Sequence, residues 1–306
     1  SLCARLQSIC IILSCTRQTE SKLSLRSFAK YLQLTKTNNN DYGPGKNKEK
    51  NIENATSMIL KAVKQNADFI VLPEMFNCPY SNEKFIEYCE EETHSPTLSK
   101  IAKLANENNT YILAGSIPEK EGSKIFNTSY LFDKNGEIIA KHQKMHLFDI
   151  DVKGKIYFKE SDTLSSGNKV TIAKTDFGKV GIGICYDIRF PELAKLMAEA
   201  GAQILFYPGA FNMTTGPAHW ELTFRSRALD NQVYCVGVAP ALNKDASYHS
   251  YGHSIIANPW GEVIVQLDEQ ENMEIAEIDL EEIKKVRTEL PLLKNKRSDL
   301  YKINLI

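Results

Sequence analysis

Long apolar runs, an excess of charge of one sign and closely spaced cysteine pairs are all missing from this 306-residue chain. No run reaches the ~18 consecutive apolar residues that a membrane-spanning helix needs. The formal net charge of −1 gives no electrostatic reason to bind nucleic acid or an anionic membrane surface. We therefore expect neither a nucleic-acid partner nor a membrane partner.

The seven cysteines are odd in number and include no C-x-x-C pair. This pattern favours free thiols in a reducing compartment, and so a cytoplasmic location. Residues 1–27 are an N-terminal extension or a targeting segment, because they combine several basic residues and serines with one acid, Glu20. That composition makes a mitochondrial location the alternative.

No linker rich in proline, glycine or serine divides the remaining chain, and we find no internal repeat. We predict one domain over residues 28–282, followed by the end of a C-terminal helix and a tail over 283–306.

Strand and helix patterns alternate along the domain, with hairpins between them, which indicates an α/β fold with a mixed sheet covered by helices. Predicted hairpins join 124–133 to 137–143 and 169–175 to 179–185. Helices are predicted at 191–200, 217–230 and 279–289. Further strands are predicted at 68–72, 110–116, 203–208, 232–239, 253–258, 262–267 and 273–278.

Cys185 occupies the most informative position in the sequence. A glycine-spaced apolar run ends in Gly-Ile-Cys-Tyr-Asp at 183–187, and Pro191 then suits the first turn of a helix. Cys185 is therefore predicted to lie at a sharp strand-to-helix turn, where α/β enzymes expose a nucleophile beside backbone N–H groups. The alternative is a buried cysteine that acts as a small apolar side chain.

Two other polar residues follow predicted strands. Glu74 comes directly after the strand 68–72, and Lys144 follows the hairpin that ends at 143. Each has a structural alternative, since a glutamate can cap a helix and a lysine can be solvated. His142 and His146 have the spacing of zinc ligands, but an extended segment would hold them over ~13 Å apart, so we predict no metal there.

In their order along the chain, these three residues resemble the Glu-Lys-Cys triad of the nitrilase, or carbon–nitrogen hydrolase, superfamily. The motifs are LPEMF at 72–76, HQKMHLFD at 142–149 and GICYDIRFPE at 183–192. The resemblance covers roughly residues 50–301. It implies a four-layer α-β-β-α sandwich of the nitrilase type with two mixed sheets face to face, and a hydrolase that needs no cofactor and no metal.

The resemblance also implies roles. Cys185 would attack an amide carbonyl and form a thioester, while Glu74 would transfer protons. Lys144 would stabilise the oxyanion together with the N–H of Tyr186, and Glu160 matches a second glutamate of the family's site. We expect the turn and Lys144 to depress the pKa of Cys185.

Longer segments, such as NCPYSNEKF at 77–85 and YPGAFNMTTGPAHWEL at 207–222, are similar to the omega-amidase branch. This likeness implies hydrolysis of the terminal amide of a small 2-oxo acid amide, 2-oxoglutaramate or 2-oxosuccinamate. Alternatives with the same triad are a deaminated-glutathione amidase and an N-carbamoyl amide hydrolase; a catalytically silent binding scaffold is an alternative of another class. The family also implies a homodimer or a higher homo-oligomer, in which the tail over 283–306 is a candidate contact. Its members open with an apolar strand, which implies a first strand at 28–34 here, although Lys30 interrupts the apolar pattern.

A pocket for such a substrate needs a cation or several donors a few bonds from the reactive carbonyl. Arg189 is either this carboxylate clamp or a structural ion-pair partner. The other predicted substrate-binding residues would supply walls and hydrogen-bonding groups: Tyr80, Tyr186, Phe211, Asn212 and Thr214.

Overall fold

A computed structural model describes residues 11–12, 46–154, 156–270 and 274–305. The predicted first strand at 28–34 lies outside the described residues. A two-residue strand, β1 (Ile11–Ile12), pairs antiparallel with residues 70–71. No helix among the described residues is long and apolar enough to cross a membrane.

The first sheet has five strands in the order β1-β2-β3-β4-β5. β2 (Phe69–Val71) and β3 (Tyr111–Glu121) are parallel. β3, β4 (Lys124–Phe132) and β5 (Ile138–Gln143) are antiparallel neighbours. β4 and β5 form the first predicted hairpin.

The second sheet has six strands in the order β13-β12-β11-β10-β9-β8. Its central pairs are parallel and its outer pairs antiparallel, so both large sheets are mixed as predicted. The strands are β8 (Thr171–Thr175), β9 (Gly178–Ile182), β10 (Ile204–Pro208), β11 (Tyr234–Val238), β12 (Ile255–Ala257) and β13 (Val263–Gln266).

The helices, like the strands, follow apolar patterns in the sequence. They are α1 (Lys46–Val63), α2 (Asn82–Tyr88), α3 (Pro96–Asn108), α4 (Pro191–Glu199), α5 (Gly216–Asn231), α6 (Leu280–Glu289) and α7 (Leu292–Asn295). Ser95 caps α3 by accepting the N–H of Leu98, and Pro96 occupies its first turn, which is the usual start signal of a helix.

Strand alternation explains the four layers. Phe69 and Val71 of β2 point into the apolar core between the sheets, where Phe69 stacks on Phe206 with ring centroids 4.9 Å apart. Ile70, between them, points the other way into the core shared with α1 and α3. Helices α4 and α5 cover the second sheet in the same manner. The predicted α-β-β-α sandwich is confirmed.

Two regions differ from the sequence prediction. Residues 274–278 of the predicted strand 273–278 form no regular strand, and Ile275 alone makes a bridge. A third, two-stranded sheet was not predicted: β6 (Asp149–Val152) pairs with β7 (Ile156–Lys159). Its strands are mostly exposed, so they lack the continuous apolar run by which the strands of the large sheets are recognised.

Candidate active site

The three triad residues lie just beyond strand ends of both large sheets. Glu74 follows β2, Lys144 follows β5, and Cys185 begins a short 3₁₀-helix after β9. Their side chains are almost completely excluded from solvent. The nucleophile candidate therefore comes from one sheet, and the candidate base and cation come from the other.

Lys144 lies between two carboxylates. Its Nζ is 3.0 Å from Glu74 Oε1 and 2.9 Å from Glu160 Oε1. The Tyr80 hydroxyl lies 2.6 Å from the same Glu160 oxygen and 3.3 Å from Glu74 Oε1. The structure thus brings four predicted site residues into one buried hydrogen-bonded cluster.

Two partners of Glu74 were not predicted. Asn127 Nδ2 donates to Oε1 at 2.8 Å, and the backbone N–H of Ala210 donates to Oε2 at 2.8 Å. Asn127 also accepts the backbone N–H of Lys144 through its own carbonyl at 2.8 Å. These contacts hold both carboxylate oxygens of Glu74 in place.

Glu160 begins a 3₁₀ turn after β7, and the hairpin of β6 and β7 places it beside Phe148. The Phe148 N–H donates to Glu160 Oε2 at 2.6 Å. Burial raises the pKa of the Glu160 carboxyl above its ordinary value, and Lys144 opposes this without reversing it. Every group that the Glu160 carboxylate contacts is a hydrogen-bond donor. The carboxylate is therefore placed to hold Lys144 rather than to give up a proton.

Lys144 is held in its charged form. Burial by itself would lower the pKa of its ammonium group, but Glu160 and Glu74 raise that pKa well above the ordinary value. A buried cation with two carboxylate partners is a fixed positive charge. It can stabilise an oxyanion without any change in its own protonation.

Cys185 adopts a left-handed backbone conformation, with φ of 47°. Such a conformation is rare outside glycine and stores strain, which is typical of a nucleophile at a strand-to-helix turn. Gly209 passes close beside it, because a Cβ at position 209 would lie 3.1 Å from the Cys185 Cα. The predicted turn is therefore present, and it is tighter than an ordinary one.

The expectation of a depressed thiol pKa is wrong. Burial, the neighbouring Glu74 carboxylate and Glu160 raise the pKa of the Cys185 thiol well above its ordinary value, and Lys144 only partly offsets them. Two carboxylates and one ammonium surround the thiol, so a thiolate would add a second net negative charge to a buried site. The thiol therefore rests in its neutral form, with Glu74 as a neighbouring carboxylate.

The geometric expectation for His142 and His146 is also wrong. The chain bends after β5 instead of staying extended, and both imidazoles contact Asp187. His142 Nε2 lies 3.0 Å from Asp187 Oδ2, and His146 Nδ1 lies 2.7 Å from Oδ1. No group of three or more His, Cys, Asp or Glu with an arrangement suited to a metal occurs in the described part of the chain.

Arg189 lies at the edge of this site without an acidic partner among the described residues. Its Cζ is 4.6 Å from the centroid of Phe211 and 5.7 Å from that of Tyr186. Its Nη1 lies 3.0 Å from His219 Nδ1, and its Nε is buried without a hydrogen-bond partner among the described groups. The alternative of a structural ion pair therefore finds no support in the described residues.

Asn212 and Thr214 belong to the turn that precedes α5. Asn212 Oδ1 accepts the backbone N–H groups of Thr214 and Thr215, each at 2.9 Å. Asn212 Nδ2 is buried and has no hydrogen-bond partner within the described chain. Asn212 is thus a structural cap that still has a free donor.

A cavity of about 40 Å³ adjoins Glu74 and Tyr80. The loop after β11 forms its other wall, through Ala241, Tyr248 and Ser250. The Tyr248 ring packs on Tyr80 with centroids 4.5 Å apart, and its hydroxyl donates to the Ala210 carbonyl at 2.6 Å. The cavity has room for at least one water molecule beside the carboxylate. No motif in this loop had drawn attention to it.

Comparison with known proteins agrees with this arrangement. The family model for carbon-nitrogen hydrolases matches residues 37–288. The chain is 48% identical to omega-amidase NIT2 of Bos taurus over 256 residues, which cover 84% of this chain and 92% of the bovine protein. It is 47% identical to omega-amidase NIT2 of Homo sapiens over 258 residues, 84% of this chain and 93% of the human one.

Among solved structures, Nit3 of Saccharomyces cerevisiae, described as a member of branch 10 of the nitrilase superfamily, superposes with a TM-score of 0.76. The match has 42% sequence identity and covers 83% of this chain and 93% of the yeast chain. The family model spans most of the chain, and the relatives align over nearly their whole length. The chain therefore belongs to the carbon-nitrogen hydrolase family, whose members hydrolyse non-peptide carbon–nitrogen bonds.

Proposed function

We propose that this protein is an omega-amidase. It hydrolyses the terminal amide of a short 2-oxo dicarboxylic acid monoamide, 2-oxoglutaramate or 2-oxosuccinamate, to the 2-oxo dicarboxylate and ammonia. The observation that carries the proposal is the buried cluster of Glu74, Lys144 and Glu160 beside the strained turn of Cys185. The bovine and human relatives named omega-amidase support the choice of substrate class.

In the first half of the reaction, Cys185 Sγ attacks the amide carbonyl while its proton moves to Glu74. Lys144 and the N–H of Tyr186 stabilise the oxyanion of the tetrahedral intermediate, an effect typically worth about 10²–10³-fold in rate for each donor. Glu74 then gives the proton to the amide nitrogen, the C–N bond breaks and ammonia leaves. A thioester to Cys185 remains.

In the second half, a water molecule attacks the thioester carbonyl and gives a proton to Glu74. The C–S bond breaks, the carboxylic acid product leaves, and the proton returns from Glu74 to the Cys185 sulfur. Glu74 is held by Asn127 and Ala210, so the same carboxylate can serve in both halves. Glu160 keeps Lys144 in place throughout.

The raised pKa of Cys185 fits this sequence of proton transfers. A stable thiolate would need no base, whereas a neutral thiol needs one in contact with it. Moving the proton from sulfur to Glu74 leaves the total charge of the cluster unchanged, so the buried site avoids gaining a second negative charge. Glu74 is therefore the base that makes the thiol a nucleophile.

Arg189 is proposed as the clamp for the distant carboxylate of the substrate. Its guanidinium lies over Phe211 beside the site and has no acidic partner among the described residues. A substrate carboxylate would supply that partner through charge-assisted hydrogen bonds. Tyr186, which flanks both Cys185 and Arg189, would line the path between the two ends of the substrate.

The proposed partners are the small 2-oxo acid amide and further copies of the same chain. Large apolar side chains such as Leu222, Leu300 and Tyr301 are exposed on α5 and near the C-terminus, which supports a homodimer or a higher homo-oligomer. Light scattering coupled to size exclusion tests the oligomeric state. The cytoplasmic location, with the mitochondrial alternative, is tested by localisation of a C-terminally tagged full-length protein.

The substrate is tested by ammonia release from 2-oxoglutaramate beside deaminated glutathione, 3-carbamoylpropionate and a neutral amide of equal length. We expect kcat/KM for 2-oxoglutaramate to exceed that for the neutral amide by about 100-fold or more, because the neutral amide cannot form the charge-paired contact with Arg189. Arg189→Gln should remove most of that preference and leave the slow rate on the neutral amide unchanged.

Equal rates on the two amides, or a clear preference for deaminated glutathione, would overturn the substrate assignment and leave the triad chemistry in place. An absence of turnover on every compound, with Cys185 intact, would favour the catalytically silent scaffold.

A further inference from the structure

Asp187 is a fully buried carboxylate that the reaction proposed above does not use. Its Oδ1 accepts the backbone N–H of His146 at 2.9 Å and the His146 Nδ1–H at 2.7 Å. Its Oδ2 accepts the backbone N–H of Ile184 at 2.9 Å and the His142 Nε2–H at 3.0 Å. Four donors thus satisfy the two oxygens: Oδ1 accepts from His146 alone, whereas Oδ2 accepts from both His142 and Ile184.

The donors belong to the two segments that carry the lysine and the nucleophile. His142 and His146 lie two residues before and two residues after Lys144, while Ile184 directly precedes Cys185. We propose that Asp187 is a positioning residue that sets the spacing between Lys144 and Cys185 by holding both segments on one carboxylate. The proposal rests on amide hydrolysis at Cys185 but does not depend on which amide is the substrate.

The strained backbone at Cys185 explains why a positioning residue is needed there. We call the set of hydrogen bonds to Asp187 the Asp187 clamp. A non-glycine residue at φ of 47° is strained and persists only where its surroundings fix it. Through Ile184 and through its own place in the 3₁₀-helix, Asp187 holds the chain on both sides of Cys185. Without that hold, the turn can relax and the sulfur can move away from Lys144.

The other contacts of the cluster make it rigid. The His146 ring stacks on Phe190 with centroids 3.6 Å apart, and His142 Nδ1 lies 3.0 Å from the Thr171 hydroxyl. Although burial by itself raises the pKa of the Asp187 carboxyl, hydrogen bonds from His142 and His146 hold that pKa well below its ordinary value. Asp187 is therefore a permanent acceptor, and neither segment can leave it without losing a buried hydrogen bond.

The first test compares Asp187→Asn with Glu90→Gln. The asparagine keeps the volume but replaces one acceptor oxygen by an NH₂ group. That group meets the backbone N–H of His146 or of Ile184, depending on the oxygen replaced, so the link to one of the two segments is weakened. Glu90 is the control: a nearly buried carboxylate outside the triad that accepts hydrogen bonds from Ser95, Thr97 and Asn77 and also pairs with Lys48 at 3.3 Å.

Unfolding free energy, kcat and KM are measured for both, on whichever amide of the panel is hydrolysed. We expect Asp187→Asn to lower kcat by about 30-fold or more with KM changed less than threefold, because displacements near 1 Å cost rates of this order. Glu90→Gln should lose comparable stability and keep kcat within threefold. A kcat within threefold of wild type in Asp187→Asn, or equal losses in both variants, overturns the proposal.

A second pair of variants keeps the test valid if Asp187→Asn does not fold. His146→Asn retains a donor near the position of Nδ1, whereas His146→Leu does not, and both lose the stack on Phe190. We expect His146→Leu to lose about tenfold or more in kcat and His146→Asn to stay within threefold.

The pH midpoint of Cys185 thiolate formation, read by ultraviolet absorbance, gives the same comparison without any substrate. It should move in His146→Leu and stay in His146→Asn. Identical behaviour of the two variants in both measurements contradicts the proposal.

Discussion

Cys185 and Cys235 are both buried thiols that pack into the same apolar cluster between the second sheet and its helices. Cys235 lies in the middle of β11, paired with Leu205 on one side and Ala257 on the other. Cys185 lies at the end of its strand run, in a left-handed turn. Burial raises the pKa of both thiols. By burial and by the direction of the pKa shift, the two cysteines cannot be told apart.

The difference between them is the proton acceptor. Arg227 is the charged side chain that most affects Cys235, and the arginine offers nowhere for a proton to go. Cys185 has Glu74 in contact and Lys144 close by. A low thiol pKa is the usual mark of a reactive cysteine, and by that mark the proposed nucleophile would be missed. What distinguishes Cys185 from Cys235 is a carboxylate beside a neutral thiol.

The largest expected effect comes from removing the nucleophile. Cys185→Ser should lower turnover by about 10⁴-fold or more, since the serine hydroxyl ionises far less readily than a thiol and is a much weaker nucleophile. The variant should fold, because serine is smaller than cysteine and Glu74 can accept a hydrogen bond from its hydroxyl. Turnover of the panel amides and circular dichroism measure the two effects. Residual turnover above a hundredth of the wild-type rate would contradict the requirement for the Cys185 sulfur.

Glu74→Gln should separate ionisation of the thiol from turnover. Loss of the general base is typically worth about 10²–10⁴-fold, so turnover should fall by at least 100-fold. After burial, Glu74 is the largest cause that raises the pKa of Cys185, so the thiol of the variant should ionise at a lower pH than in wild type.

Ultraviolet titration of the thiolate measures that midpoint, with Cys185→Ser subtracted as the blank. A midpoint that is unchanged or higher would mean that Glu74 does not control the proton of Cys185. Turnover above a tenth of the wild-type rate would contradict its role as the base.

Lys144→Met should lower turnover by about 10²–10³-fold through loss of the oxyanion contact. It should also destabilise the fold by about 3–5 kcal/mol near neutral pH, since it leaves buried carboxylates without their cation. Lys103→Met is the control, because Lys103 makes an exposed ion pair with Glu107 and its loss should cost less than about 1 kcal/mol.

The pH dependence of that loss has a definite sign. The pKa of Glu160 is raised in the folded protein, and removing Lys144, which lowers it, raises it further. A carboxyl whose folded pKa is raised stabilises the fold below its unfolded value of about 4.3, and this stability is lost as the pH rises through the folded pKa. Urea unfolding of Lys144→Met should therefore show a larger deficit from wild type at pH 7.5 than at pH 5. A deficit that is equal at both values would mean that Glu160 is not the carboxylate left unpaired.

Sequence reasoning reached the fold, and it placed Glu74, Lys144 and Cys185 at the strand ends where the structure has them, because both depend on local patterns. The order of LPEMF, HQKMHLFD and GICYDIRFPE fixes which strand ends carry Glu74, Lys144 and Cys185, and the strand and helix periods locate most elements. Sequence reasoning failed where a property depends on the combined electrostatic effect of groups that are distant along the chain. The sign of the Cys185 pKa shift is one case, since it follows from burial and two carboxylates that lie 111 and 25 positions away along the chain.

Contacts between distant segments were missed for the same reason. Asn127 reaches Glu74 across 53 positions, and Ala210 reaches it across 136. The link of His142 and His146 to Asp187 was missed because an extended backbone was assumed through residue 146, whereas the chain bends there. Motif residues can be recognised one segment at a time, but the residues that hold them require the fold.

The smallest effect on activity is expected at Cys235, and it tests the other half of the comparison. Cys235→Ala removes one sulfur from a packed interior and should cost about 1–2 kcal/mol of stability through a small cavity. Cys235→Ser adds a hydroxyl to apolar surroundings, which costs roughly 1–3 kcal/mol when it is unpaired, so it should be the less stable of the two. Both should keep kcat and KM within twofold of wild type, because no proton acceptor adjoins this position among the described residues. Thermal unfolding and steady-state kinetics of the two variants measure these effects. If Cys235→Ala loses more turnover than its loss of stability explains, the two thiols are coupled through the apolar cluster they share.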